Sequence, residues 1–65
     1  MRALEVLELE PDADFETVRF AWRRLAKANH PDVAPGEDAA KRFVAIQAAY
    51  DVLKAAEERR SWKPD

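Results

Sequence analysis

Residues 18–32 read V-R-F-A-W-R-R-L-A-K-A-N-H-P-D, and this stretch decides the fold. Val18, Trp22 and Leu25 recur at spacings of four and three. Phe15 extends the same face one turn back, and Ala21 and Ala26 lie at its edges. Apolar residues at that spacing line one side of a helix and bury it against a neighbour. The other side carries Arg19, Arg23 and Lys27 in a line spaced by four, with Arg24 beside it. The helix is expected over about residues 15–29, a rod about 22 Å long. Asp14 stands where an N-cap is needed, and Glu16 falls in the first turn, where the helix dipole favours an acid. The helix must stop near His30. Pro31 offers no N–H and pushes the residue before it out of the helical region.

Working outward, residues 30–36 hold two prolines and the chain's only glycine, which predicts a loop. Beyond it, Phe43, Ile46, Tyr50 and Leu53 follow at spacings of three, four and three, a second single-faced helix starting at Glu37 or Asp38. Two such helices of similar length, joined by a short loop, should lie antiparallel with their apolar faces together. Trp22, Phe43 and Tyr50 are expected to fill the seam. Upstream, Leu4, Val6, Leu7 and Leu9 allow a short helix over residues 2–9, closed by Pro11. Downstream, the charged residues 56–62 allow a short fourth helix before Pro64, with Trp62 covering one end of the core or partly exposed. The expected fold is all-α: a small bundle built on the antiparallel hairpin of helices two and three, with short first and fourth helices. Residues 1–65 form a single domain, with no strand, repeat or linker.

Composition narrows the function. These 65 residues are expected to leave no room for a substrate-enclosing pocket between domains. The absence of cysteine removes disulfides, thiolate nucleophiles and cysteine-based zinc sites, and fits a reducing, cytoplasmic setting. The single glycine leaves no glycine-rich phosphate loop. His30, Ser61 and Thr17 are the only residues of their types, and neither hydroxyl is near the histidine in sequence, so no catalytic triad can be assembled. One imidazole among scattered carboxylates has no metal-ligand spacing. Neither catalysis, a metal nor a cofactor is expected. No apolar run approaches the roughly 20 residues of a membrane span.

Charge is segregated. The chain totals eleven bases and thirteen acids, a formal charge of −2. Residues 1–14 carry five acids and one base, residues 15–29 four bases and one acid, and residues 37–65 six of each. The total does not argue for nucleic acid, and the local basic patch matters more than the total for an encounter with a charged partner, because screening restricts each charge to partners within about 8–10 Å.

Between the helices stands His30-Pro31-Asp32. The proline ring stiffens a kink that holds an imidazole and a carboxylate on either side of it. Such a tip presents polar groups to a partner with little entropy left to lose, and Asp32 is able to meet an arginine through a charge-assisted bond. Taken alone, the tripeptide also reads as an ordinary turn in which Asp32 bonds nearby N–H groups.

In its context the tripeptide resembles that of the J-domain, the helical module of DnaJ-type co-chaperones. The resemblance runs from Ala3 to about Trp62: A-L-E-V-L-E-L at the start, the quoted stretch into the loop, and F-V-A-I-Q-A-A-Y-D-V-L on the third helix. Trp22 stands at the family's mid-helix aromatic, followed by a basic residue and then Leu-Ala. Phe43, Ile46, Ala49, Tyr50, Val52 and Leu53 fit the third helix, and Glu58–Arg60 resembles the short basic fourth. The resemblance implies a domain that binds the ATP-bound seventy-kilodalton heat-shock (DnaK-type) chaperone and triggers its ATP hydrolysis without hydrolysing ATP itself. It places Asp32 against an arginine of that chaperone, His30 and Pro31 as holders of the tip, and Arg19, Arg23, Arg24 and Lys27 against an acidic patch. Neither nucleic acid nor a membrane is an expected partner, and the isolated domain is expected to be a monomer.

The chain departs from the pattern in places. Asn29 replaces an aromatic that packs under the loop, Glu8 stands where glycine is usual, and Val33 replaces a base. Phe20 falls on the helix wheel among Arg23, Arg24 and Lys27, where the family tends to have Lys or Arg; it is a candidate extra anchor for a partner or for a missing part of a longer protein, and otherwise reads as a solitary exposed aromatic of no consequence. Two other functions compete: a J-like adaptor without a trigger, and a small helical nucleic-acid binder, recognisable by a steep salt slope with duplex DNA. No Gly/Phe-rich segment, zinc module or client-binding domain is present. The chain therefore reads either as a piece of a larger protein or as a minimal J-protein acting through other contacts.

Overall fold

The computed structural model describes residues 3–61. They form three helices: α1 (Ala3–Val6), α2 (Phe15–Ala28) and α3 (Glu37–Ser61), with no strand among the described residues. Asp14 caps α2 as its position suggests. It is extended at φ −80°, ψ 170°, and its Oδ1 accepts the Thr17 N–H at 2.9 Å. Thr17, through its side chain and then its backbone, holds the Asp14 carboxyl below the usual carboxylate range.

The pairs that meet across α2 and α3 establish their direction. Phe15 stacks on Tyr50 (ring centroids 6.0 Å apart), Trp22 stacks on Tyr50 (4.1 Å), Trp22 Nε1–H donates to Gln47 Oε1, and His30 lies against Phe43 (5.8 Å). As numbers rise on α2 they fall on α3, so the helices are antiparallel. The deepest layer is built from small side chains. Ala3, Leu7, Val18, Ala21, Ile46 and Ala49 form the buried cluster, with Phe15, Trp22, Leu25, Tyr50 and Leu53 packed around it. Alanines at the crossing let the helix backbones approach closely, and the larger rings close the seam from its flank.

Two boundaries differ from expectation, each for a local reason. The expected fourth helix is the end of α3, which runs unbroken for 25 residues against 14 for α2. From Leu53 to Arg60 the chain offers Lys, Ala, Glu and Arg, all good helix formers, and no Gly, Pro or capping residue to interrupt it. At the other end, α1 stops at Val6 rather than running to Leu9. Glu8 adopts the left-handed region at φ 60°, the Glu8 N–H bonds the Glu5 carbonyl (2.9 Å) and the Leu9 N–H bonds the Leu4 carbonyl (2.8 Å). This is a Schellman closure with glutamate at the position that favours glycine. Arg2 and Trp62, assigned roles at the two ends of the fold, lie outside the described residues.

Candidate functional site: the inter-helix tip and the basic face of α2

The tip is held by its own backbone. The His30 carbonyl accepts the N–H groups of Val33 (2.9 Å) and Ala34 (2.8 Å), closing a tight turn around Pro31. The Asp32 N–H donates to His30 Nδ1 at 3.2 Å. That contact makes Nδ1 an acceptor, so the neutral imidazole carries its proton on Nε2. The imidazole edge rests on the ring of Phe43 at an interplanar angle of 86°. His30 therefore joins the turn to α3 with its ring and orients Asp32 with its nitrogen. The Asp32 carboxylate is held more loosely: its Oδ2 is 3.7 Å from Nδ1, an ion pair when the imidazole is protonated, and its side chain is 90% exposed. The geometry favours neither the ordinary-turn reading, in which the carboxylate caps nearby N–H groups, nor a buried acid.

Asn29 does the work expected of an aromatic by other means. Its Nδ2 donates to the Leu25 carbonyl at 2.9 Å, and its Oδ1 accepts from Arg42 Nε at 3.0 Å. The end of α2 is thus tied to α3 by hydrogen bonds, one residue before the tip. Beside the tip lies a shallow groove of about 580 Å³ whose lining includes Trp22, Lys27, Asp32, Val33, Phe43 and Gln47. Lys27 links this groove to the basic face. A second groove of comparable size, about 600 Å³, lies between α1 and α3 around Leu4, Leu9, Pro11 and Leu53, away from the tip.

Arg19, Arg23, Arg24 and Lys27 are all exposed on α2, and none makes an ion pair among the described residues. Phe20 stands among them with 75% of its surface exposed, more than any other large apolar residue described. Lys27 borders the groove at the tip, and the cationic face runs from there back along α2 to Arg19 near the start of the helix.

Sequence reasoning missed the supporting roles. Phe43 was assigned to the helix seam but lies half-buried beneath His30, outside the buried cluster. Antiparallel pairing carried the signal, since the first large apolar residue of α3 must face the last turn of α2. The Asn29–Arg42 bond had no signal in spacing.

An all-α hairpin lifting a stiff His-Pro-Asp turn beside a cationic helix face is the architecture of a J-domain. The comparison with known families agrees: the DnaJ domain profile matches residues 3–63, and the chain belongs to that family. Among curated relatives, the chaperone protein DnaJ of Zymomonas mobilis is 47% identical over 58 residues, covering 88% of this chain and 16% of that protein. The chaperone protein DnaJ of Hydrogenobacter thermophilus is 38% identical, covering 89% and 16%. A Pseudomonas putida relative named curved DNA-binding protein is 40% identical over 55 residues, covering 85% and 17%. The chain therefore spans about a sixth of the length of these relatives. No solved structure gives a significant match.

Proposed function

We propose that this J-domain docks on the ATP-bound form of a DnaK-type seventy-kilodalton heat-shock chaperone and stimulates its ATP hydrolysis. The observation that carries the reading is the Asp32 carboxylate, exposed with only the His30 ring beside it, on a turn whose backbone is pinned. A carboxylate so placed meets an arginine with little loss of entropy, and the bond is strongest where the partner excludes water. The α2 cations act first: their field steers encounter with an acidic surface, and each exposed pair contributes about 0.2–1 kcal/mol. Affinity is accordingly modest and weakened by salt. The domain supplies no chemistry of its own. It acts on a hydrolysis carried out by the partner, and no cofactor enters.

A relative is named for DNA binding, and the four α2 cations are able to meet phosphates. The tip, however, breaks the chain where a recognition helix would have to continue, and the whole carries a charge of −2. Duplex DNA therefore serves as the control ligand, expected to bind weakly if at all.

Single-turnover ATP hydrolysis by a bacterial DnaK, with increasing amounts of this domain, tests the proposal. Wild type should accelerate the turnover. His30→Gln should abolish the acceleration while circular dichroism stays unchanged, because the amide neither packs on Phe43 nor holds the Asp32 N–H as the ring does. Equal acceleration by the two proteins would refute the role given to the tip.

A further inference from the structure

On the outer face of α2, Phe20 lies at the N-terminal side of the cationic surface, next to Arg19. Lys27 and Arg24 flank it on the helix wheel, Arg23 lies one turn on, and Glu16 one turn back. Its ring has no stacking or cation–π partner among the described residues, and it is 75% exposed. Nothing in the fold requires it. Phenylalanine is also a poorer helix former at an exposed position than Lys, Arg or Ala.

We infer that Phe20 is an apolar anchor that inserts into a recess within the acidic docking surface of the DnaK-type chaperone and sets the affinity of the dock. The inference rests on the co-chaperone reading and adds a residue to it. The placement supports the choice: Arg23 and Arg24 lie three and four residues on from Phe20 on the same face, so a surface that meets both guanidiniums also reaches the neighbouring ring. The ring is then either buried in a recess, contributing apolar area that salt does not weaken, or it holds the two surfaces apart. Aromatic anchors surrounded by charged rim contacts are the usual source of binding energy in such interfaces. The division of labour follows: the cations govern encounter and orientation, and Phe20 governs residence.

A recess able to take the ring also lies on the molecule itself: the groove between α1 and α3, which is apolar within and bordered by Glu5 and Glu10. A second copy docking there would cover the same cations that the chaperone needs. Self-association is therefore the alternative that the experiment separates.

The test is the concentration of domain giving half-maximal stimulation of DnaK single-turnover hydrolysis, measured at about 50 and about 300 mM salt. Phe20→Ala should raise it about tenfold at both, with the saturated rate unchanged. Arg23→Ala should raise it at low salt and much less at high salt. Phe20→Lys, which restores the family's charge, should remain weaker than wild type at high salt. A half-saturation for Phe20→Ala within about twofold of wild type would overturn the inference, as would Phe20→Lys binding more tightly than wild type at high salt. Sedimentation showing self-association of the wild-type chain that Phe20→Ala abolishes would assign the ring to a second copy instead. If wild type stimulates and only the Phe20 variants behave normally, the anchor fails and the co-chaperone reading stands. If wild type gives no stimulation, both fall.

Discussion

The two faces of α2 belong to the same fourteen residues and do opposite things. The inner face buries Val18 and Ala21 and stacks Trp22 on Tyr50. The outer face exposes Arg19, Phe20, Arg23, Arg24 and Lys27, with no ion pair for the cations and no ring partner for Phe20 among the described residues. One face holds the domain together and the other is committed to nothing within it. Fold and docking should therefore be separable by mutation. Substitutions on the inner side change melting, and substitutions on the outer side or at the tip change the encounter.

The largest expected effect lies on the inner side, where Leu7 anchors the first segment to the hairpin and has no exposed surface. Leu7→Ala removes a fully enclosed side chain from a core otherwise rich in alanine, costing about 3 kcal/mol. A domain of this length has a total stability of only about 3–10 kcal/mol. Urea unfolding should show a midpoint shifted far down or no folded baseline. A shift comparable to that of a surface substitution would mean that α1 is dispensable to the core.

Next in size is a gain. Glu8 sits at φ 60°, a conformation that costs a non-glycine residue about 1 kcal/mol. Glu8→Gly should raise the melting temperature while leaving the tip and its function untouched. A lower melting temperature would show that the Glu8 side chain makes up for the strain elsewhere.

The smallest effect concerns the α2 cap. The Asp14 carboxyl is held below its ordinary range in the folded state by Thr17, so its contribution is present above the unfolded pKa and declines as the pH falls through the folded one. Asp14→Ala should therefore melt somewhat below wild type at neutral pH, with the gap narrowing in acid. A gap that widens in acid would contradict the assignment of Asp14 as an ionised cap.

Much of the molecule was legible in its sequence because periodicity and proline report directly on the backbone. The apolar spacings of α2 and α3 define the seam, Pro31 marks the turn, and Asp14 announces the cap. The cations were legible as a line because a spacing of four keeps them on one side of the rod. Other features depended on pairing across the hairpin. Phe43 shares its stripe with Ile46 and Tyr50, but only the antiparallel register shows that it lies under His30 instead of in the seam. Asn29 and Arg42 are thirteen residues apart, and their bond exists only once the helices are docked. The unbroken end of α3 could have been read from the lack of any breaker between Leu53 and Arg60, a signal outweighed by the resemblance to a four-helix pattern.

The central claim is that Asp32 serves a partner and not the fold. Melting and single-turnover DnaK stimulation, measured on one preparation of Asp32→Asn, test it most directly. A melting curve superimposable on that of wild type, with stimulation lost, is the predicted result. Undiminished stimulation, or loss of stimulation together with loss of the folded baseline, would contradict it.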